Sequence, residues 1–440
     1  MSTALPDNLQ ALRRALEGAS AASSVDLQRS LGLSQPSVSR LLAAASSQVM
    51  VLGRGRATRY ALPQRIGGAA AEQPLAWVDE QGAAHPFARL AFGHGGSVHV
   101  QVGKSLMHRV GALPWFMAPL RAEGFLGRAL ARLWAAQGFP SDPAAWSIEQ
   151  VLMSALQMPD APGALRLGDA TAGTSTTLPT LEALDAARAA ALLDTLADQA
   201  ASGLPAGSSA GGEQAKFLLR DVDGHPLIAK YSPPRGTPFG ERWSDLLHAE
   251  AAALALLAEH GVPVAPTRVF STARRTVLLS RRFDRVGRDG RRHVVPLGAV
   301  HEAFVPGPPR QWSATCEVLE ARRRLPGGSA ARASALQQFG RLIGNTDMHF
   351  GNLGVWVDRE DLLRGRFRLA PLYDMLPMRW RPDASTGEMG LLPFEPDAGD
   401  LASAARALAA EYWGRIEASP PISRGFRKLA GEQARRTRFA

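Results

Sequence analysis

A polar nonapeptide, Gly344-Asn-Thr-Asp-Met-His-Phe-Gly-Asn352, lies between two mostly apolar runs, Arg341-Leu342-Ile343 and Leu353-Gly354-Val355. The flanks predict a helix before it and a strand after it, so the peptide is either a plain polar turn or a loop that carries chemistry. Asp347 and Asn352 stand five residues apart, the spacing at which a phosphoryl-transfer loop sets a proton-accepting carboxylate and a metal-holding carboxamide. Taken alone, an Asp and an Asn at that distance fit both readings.

The 440 residues exceed a single core and fit about two to four domains. One cysteine, Cys316, excludes an internal disulfide framework and a multi-cysteine metal site, and suits a reducing cytosol. The opening residues lack the basic start and apolar run of a secretory signal. No uninterrupted apolar window is long enough to cross a bilayer, so a cytoplasmic protein with no membrane partner is expected. The net charge of +10 favours an anionic partner such as nucleic acid or nucleotide. Arginine usage in GC-rich genomes has the same effect, so charge alone does not name the partner.

Residues 1–66 read as a separate module. Leu9, Leu12 and Leu16 share one helical face, Val25–Leu31 forms a second short helix capped by Gly32, and a third helix opens at Ser34 with Pro36 in its first turn. Two short strands around a Gly-Arg turn follow between Val49 and Leu62. Helix, tight turn, helix and hairpin make the pattern of a winged helix-turn-helix. Ser34, Gln35, Ser37, Ser39 and Arg40 would face base edges of double-stranded DNA, and Arg54 and Arg56 its phosphates or minor groove. Eight arginines against Asp7, Glu17 and Asp26 favour DNA; a docking or dimerisation module is the other reading. A helix-turn-helix usually meets two half-sites, which favours a homodimer.

Residues 63–74 are rich in Gly and Ala and read as a linker, and 75–200 as a β-rich subdomain with a helical insert. From 201 to 300 the elements suit a nucleotide-binding lobe. A Gly-rich stretch, Gly207–Lys216, precedes the strand Phe217–Arg220; its backbone N–H groups and Lys216 could meet phosphates, or it is a surface turn. A return strand, Pro226–Tyr231, carries the lone Lys230, and the helix after it carries Glu250, either paired with Lys230 or solvated. A hinge strand, Thr276–Arg285, leads into 301–440, an α-rich lobe with the nonapeptide and then a strand ending at Asp374. Six parts in the order of a two-lobed kinase outweigh any one of them.

At this point the chain resembles the HipA-like serine/threonine kinases, toxin components of bacterial toxin–antitoxin systems, over roughly residues 77–430. The resemblance rests on Ser209-Ala-Gly-Gly-Glu-Gln-Ala-Lys216, Arg282-Phe-Asp-Arg285, Asn345–Asn352 and Tyr373-Asp374. The fused N-terminal module resembles the YjjJ-type branch, where common members use a separate antitoxin for DNA. It implies an α+β, two-lobed protein-kinase-like fold with an α-rich C-terminal lobe, preceded by a small winged-helix domain. It further implies Asp347 as catalytic base and Asn352 with Asp374 as holders of Mg2+. For ATP it implies Gly211, Gly212, Glu213, Gln214, Ala215, Lys216 and Lys230 on the phosphates and Arg281, Arg282 and Phe283 along the adenine. His349, Phe350, Gly351 and Tyr373 complete the pocket. Ser209 matches an autophosphorylated loop serine, whose added charge of about −1.5 to −2 would oppose the ATP phosphates.

Two positions depart from the common pattern: Arg281 replaces an acidic residue, and Gly351 a frequent lysine. The second leaves charge neutralisation more dependent on Lys216 and Lys230. Two other functions fit the same residues: a nucleotide-sensing transcriptional regulator without turnover, and a small-molecule kinase.

Overall fold

Three short helices open the chain, α1 (Ala4–Ala19), α2 (Ser24–Leu31) and α3 (Gln35–Ala44), in a computed structural model that describes residues 4–158, 160–169, 178–181, 186–202, 214–383, 389–395 and 402–439. Ser23 and Asp26 cap α2 reciprocally, at 3.1 and 2.9 Å, satisfying two backbone donors at its start. Gly32 ends α2 in the left-handed conformation (φ 64°), as its position predicts. Ser34 occupies the cap of α3, but its hydroxyl meets the Ser37 hydroxyl at 3.0 Å rather than a backbone N–H. Leu12, Leu16, Leu27, Val38 and Leu41 form the small core between the helices. Strands β1 (Met50–Leu52) and β2 (Arg59–Ala61) then pair antiparallel, leaving Arg54 and Arg56 exposed in their connection.

Residues 63–74 are not a free linker. Gln64 donates its backbone N–H to Phe92, Glu149 accepts from the Gln64 side chain and the Gly67 N–H, and Ile66 is buried. The Gly-Ala composition hid these long-range bonds. Strands β3 (Glu72–Val78), β4 (Ala84–Gly93), β5 (Ser97–Val102) and β6 (Ser105–Val110) follow, then α4 (Gly124–Leu133), α5 (Ile148–Gln157) and β7 (Leu165–Leu167). The sheet order is β6-β5-β4-β3-β7, all pairs antiparallel. Within the described residues, 1–79, 83–122 and 136–176 form one compact unit, and 80–82, 123–135 and 177–440 a second.

One buried pair in the first unit has a thermodynamic consequence. His99 of β5 lies opposite His108 of β6, their rings stacked at 4.5 Å, and His99 is 1% exposed. Burial, then the nearby His108 charge, pushes its pKa from 6.5 down to about 4. The folded ring therefore binds its proton more weakly than the unfolded one. Stability is unaffected above pH 6.5, falls between 6.5 and 4, and levels off below. The full loss is about 3 kcal/mol. His99→Gln should flatten that part of an unfolding-versus-pH curve; an unchanged slope would remove His99 as its source.

The second unit holds α4, then α6 (Ala186–Ser202) and a four-stranded antiparallel sheet of order β10-β11-β9-β8: β8 (Lys216–Arg220), β9 (Pro226–Tyr231), β10 (Thr267–Ser271) and β11 (Thr276–Arg281). Between β9 and β10 runs α7 (Pro238–Glu259), started by Thr237, whose hydroxyl accepts the Gly240 N–H at 3.0 Å. A short hairpin, β12 (Arg285–Val286) and β13 (Gly290–Arg291), leads to β14 (Val294–Pro296) and then α8 (Leu297–Phe304), α9 (Trp312–Ala321) and α10 (Ser329–Leu342). Strands β15 (Gly354–Trp356) and β16 (Arg368–Leu369) complete a three-stranded sheet with β14, and α11 (Ser403–Ala418) and α12 (Arg424–Phe439) close the chain. Cys316 of α9 is fully buried, and burial pushes its thiol up to about 12, which suits a packing role. Among the described residues no helix is long and apolar enough to cross a membrane.

Candidate active site

Alternation along β9 sorts its side chains between two faces. Leu227, Ala229 and Tyr231 join Phe217, Leu219, Val277 and Leu279 in a core closed by Leu193 and Ala197 of α6. Ile228 and Lys230 take the other face, where the register sets Lys216 of β8 and Leu278 of β11 directly opposite Lys230. Helix α7 covers that face, and its Glu250 grips Lys230 with both carboxylate oxygens, at 2.6 and 2.7 Å. Lys230 is 6% and Glu250 1% exposed. Glu250 is thus a paired, buried group and not a solvated one.

Lys230 Nζ also donates to Asp374 Oδ1, so one ammonium bridges two carboxylates. Burial works against its charge, but Asp374 and Glu250 hold its pKa above the ordinary lysine range. Burial likewise pushes Asp374 up, yet Lys230, Lys216 and His349 together hold its carboxyl below the usual value. For Glu250 burial prevails over Lys230, and its pKa lies above the usual range. Asp374 has a left-handed backbone (φ 55°), uncommon for a residue with a side chain. That turn aims its carboxylate at Lys230 while its carbonyl accepts the Asn345 side chain at 3.3 Å.

The nonapeptide follows α10 as an irregular loop organised by its two carboxamides. Asn345 Oδ1 accepts the Asp347 N–H at 3.0 Å, and Asn352 Nδ2 donates to the Asp347 carbonyl at 2.6 Å. Asp347 therefore has both backbone groups tied while its carboxylate stays half exposed, 4.0 Å from His349 Nε2. Asn345 and Asn352 are 5% and 6% exposed. Because Asn352 spends Nδ2 inside the loop, its Oδ1 is left for another partner. Asn352 Oδ1 and the Asp374 carboxylate are both oxygen donors, the type that could hold magnesium.

Gly351 has a local reason. Its N–H donates to His349 Nδ1 at 3.0 Å, and a Cβ there would stand 2.7 Å from the folded-back ring. A lysine in its place could not keep this arrangement. The Tyr373 hydroxyl donates to the Gly351 carbonyl, and the Tyr373 ring lies 5.5 Å from that of Phe283. Phe350 packs against His301 at 5.6 Å, and the Trp312 indole N–H donates to the His349 carbonyl at 3.2 Å.

The hinge segment is less uniform. Arg281 lies opposite Leu227, so its side chain leaves the face away from Lys230 and pairs Asp221 at 2.9 Å. Arg282 is buried and holds Asp284 in a fork, at 3.1 and 2.9 Å, with Arg285 on the same carboxylate at 2.7 Å. Both arginines thus brace the hinge. Gln214 donates to the Tyr231 carbonyl at 2.7 Å, which ties the chain just before Lys216 to the end of β9. Ser209 and Gly211 to Glu213 lie outside the described residues. Asn345 and Trp312 support the loop without having been singled out; the Asn345 carboxamide, so near Asp347, was the available signal.

Comparison with known proteins gives the family and the fold. The family profile of the HipA-like C-terminal domain matches residues 208–419, and that of the YjjJ-like toxin, middle domain, residues 69–175. The protein named Toxin YjjJ from Escherichia coli (strain K12) is 34% identical over 430 residues, covering 94% of this chain and 95% of that one. A solved complex of Shewanella oneidensis MR-1 HipA with HipB and operator DNA aligns at 15% identity and a TM-score of 0.51, over 83% of this chain and 96% of that chain. This likeness supports the α+β, HipA-like fold. The Helicobacter pylori proinflammatory kinase CtkA aligns at a TM-score of 0.34 and 12% identity, over 51% of this chain and 90% of that chain, too loosely to carry weight. The chain belongs to the YjjJ family of HipA-like toxins.

Proposed function

We propose that the protein is an ATP- and Mg2+-dependent serine/threonine protein kinase that restrains growth by phosphorylating a cellular protein. The observation that carries this reading is the buried Lys230 bridge to Glu250 and Asp374, beside a loop that presents Asp347. Asp347 would orient the acceptor hydroxyl and take its proton as oxygen attacks the ATP γ-phosphorus and the bond to the β-phosphate oxygen breaks. Lys230 and Lys216, facing one another across β8 and β9, would neutralise phosphate charge. Asn352 and Asp374 would hold Mg2+, which when bound supplies further charge neutralisation on the phosphate oxygens. Half-buried Ile228 and Leu218, on the Lys230 face, offer an apolar bed for the base.

Phosphorylation of Ser209 would place negative charge where the ATP phosphates belong, limiting the enzyme from within. The N-terminal unit adds a second reading. Exposed Ser34, Gln35, Ser39 and Arg40 on α3, with half-buried Ser37 and the exposed Arg54 and Arg56, suit binding of double-stranded DNA as a homodimer. If that is the main activity, the nucleotide site only senses. Phosphoproteomics of cells expressing wild type against Asp347→Ala decides: a kinase leaves serine or threonine sites that need Asp347, whereas a sensor leaves identical profiles.

Asn345 is a positioning residue under this reading, since it joins Asp347 to the Asp374 backbone. Asn345→Ala should lower kcat by about 10–100-fold, the range for loss of a supporting polar partner, with nucleotide affinity little changed. Turnover and nucleotide titration check it; equal loss of affinity and turnover would point to general collapse of the loop.

A further inference from the structure

The arginine-rich runs that stand out in the sequence are mostly committed to the fold. Arg322 donates to the Phe304 carbonyl at 2.6 Å. Arg324 lies 4.2 Å from the Phe304 ring centre and donates to the Arg364 carbonyl at 3.0 Å. Arg292 pairs Glu80 at 2.8 Å. Helix α12 differs. It carries six cations and one carboxylate, Glu432, in 16 residues, and its apolar side buries Phe426, Leu429, Ala430 and Ala434.

At 100° per residue, Arg424, Lys428, Arg435 and Arg438 fall within an arc of about 80° and span about 21 Å of helix. All four are exposed, and among the described residues none has an ion-pair partner. Arg427 flanks the stripe half buried, while Arg436 leaves it to pair Glu395. Glu417 of α11 packs over Gly431 near the middle and divides the cations into two pairs. Arg424 and Lys428 repel at i,i+4, Arg435 and Arg438 at i,i+3, and the first pair also opposes the helix dipole. Of the four, Arg438 alone lies in the last turn, where the dipole favours a cation.

We propose that this stripe binds the phosphate backbone of duplex DNA, independently of the N-terminal helices. A linear row of cations, three of them planar guanidinium groups, suits a linear run of phosphates better than a compact anion, which needs converging donors. An anionic bilayer is disfavoured because, among the described side chains, α12 contributes none of the exposed large apolar ones that would insert into one. The contact is electrostatic and reads no sequence.

The test is binding of a fluorescent random-sequence DNA duplex to the full chain across salt concentrations. Arg424→Ala, Lys428→Ala, Arg435→Ala and Arg438→Ala together should reduce the slope of log affinity against log salt by about 3–4, near 0.9 per lost contact. A variant with lysine at the three arginine positions should keep the slope, separating charge from misfolding. The same loss should appear over Arg40→Ala, Arg54→Ala and Arg56→Ala, so failure of the N-terminal reading leaves this result standing. A slope changed by less than one in the fourfold variant overturns the proposal. So does loss of binding to duplex RNA or anionic vesicles with DNA binding retained.

Discussion

Lys230→Met should destabilise the second unit by about 3–5 kcal/mol, because it leaves Glu250 as a buried charge without its partner. The cost comes from the orphaned carboxylate, since Glu250 is 1% exposed and its two oxygens are both spent on Lys230. Replacing both members, as Lys230→Met with Glu250→Leu, should recover most of that loss, since an apolar pair of similar volume needs no desolvated charge. Phosphoryl transfer should not recover, because Asp374 has then lost the ammonium that holds it. Denaturant unfolding of the single and double variants reads the first effect and a transfer assay the second. A double variant no more stable than the single would show that shape, and not charge, makes the pair matter.

Asp347→Asn should lower transfer by about 10²–10⁴-fold, the usual worth of a positioned general base. ATP affinity should change little, because Asn345 and Asn352 hold the Asp347 backbone groups and not its carboxylate. Asp374→Asn is the useful contrast. It removes a carboxylate bonded to Lys230 and so should weaken magnesium-dependent nucleotide binding as well as turnover. Calorimetric titration with a nonhydrolysable ATP analogue, beside single-turnover kinetics, separates the two. Equal losses of affinity in both variants would deny Asp347 its separate role.

Local chemistry was legible where it depends on neighbours in the chain. Gly32 announced a helix end; Lys230, Glu250 and Asp374, which meet in one bonded group, are far apart in the chain and were legible only through the order of the parts. Features set by distant partners were harder to read. Residues 63–74 look like a linker because their composition is small and polar, yet Glu149, far along the chain, fastens them. Arg322 and Arg324 look like solvated charge until Phe304 and the 364–365 turn supply carbonyls and a ring. The direction of Arg281 was available in principle: it stands an odd number of residues from Leu278, which faces Lys230, so alternation sends it to the other side. The unknown was the register of β9 against β11, which only the folded sheet supplies.

In the proposed mechanism Asp347 serves a γ-phosphoryl transfer to a protein hydroxyl. Purified wild type, Asp347→Asn and Asp374→Asn, each incubated with γ-labelled ATP and magnesium, test it directly. Acid-stable label on serine or threonine from wild type alone is the expected result. Labelling by Asp347→Asn at the wild-type rate, or none by a wild-type protein that binds the nucleotide, would contradict it.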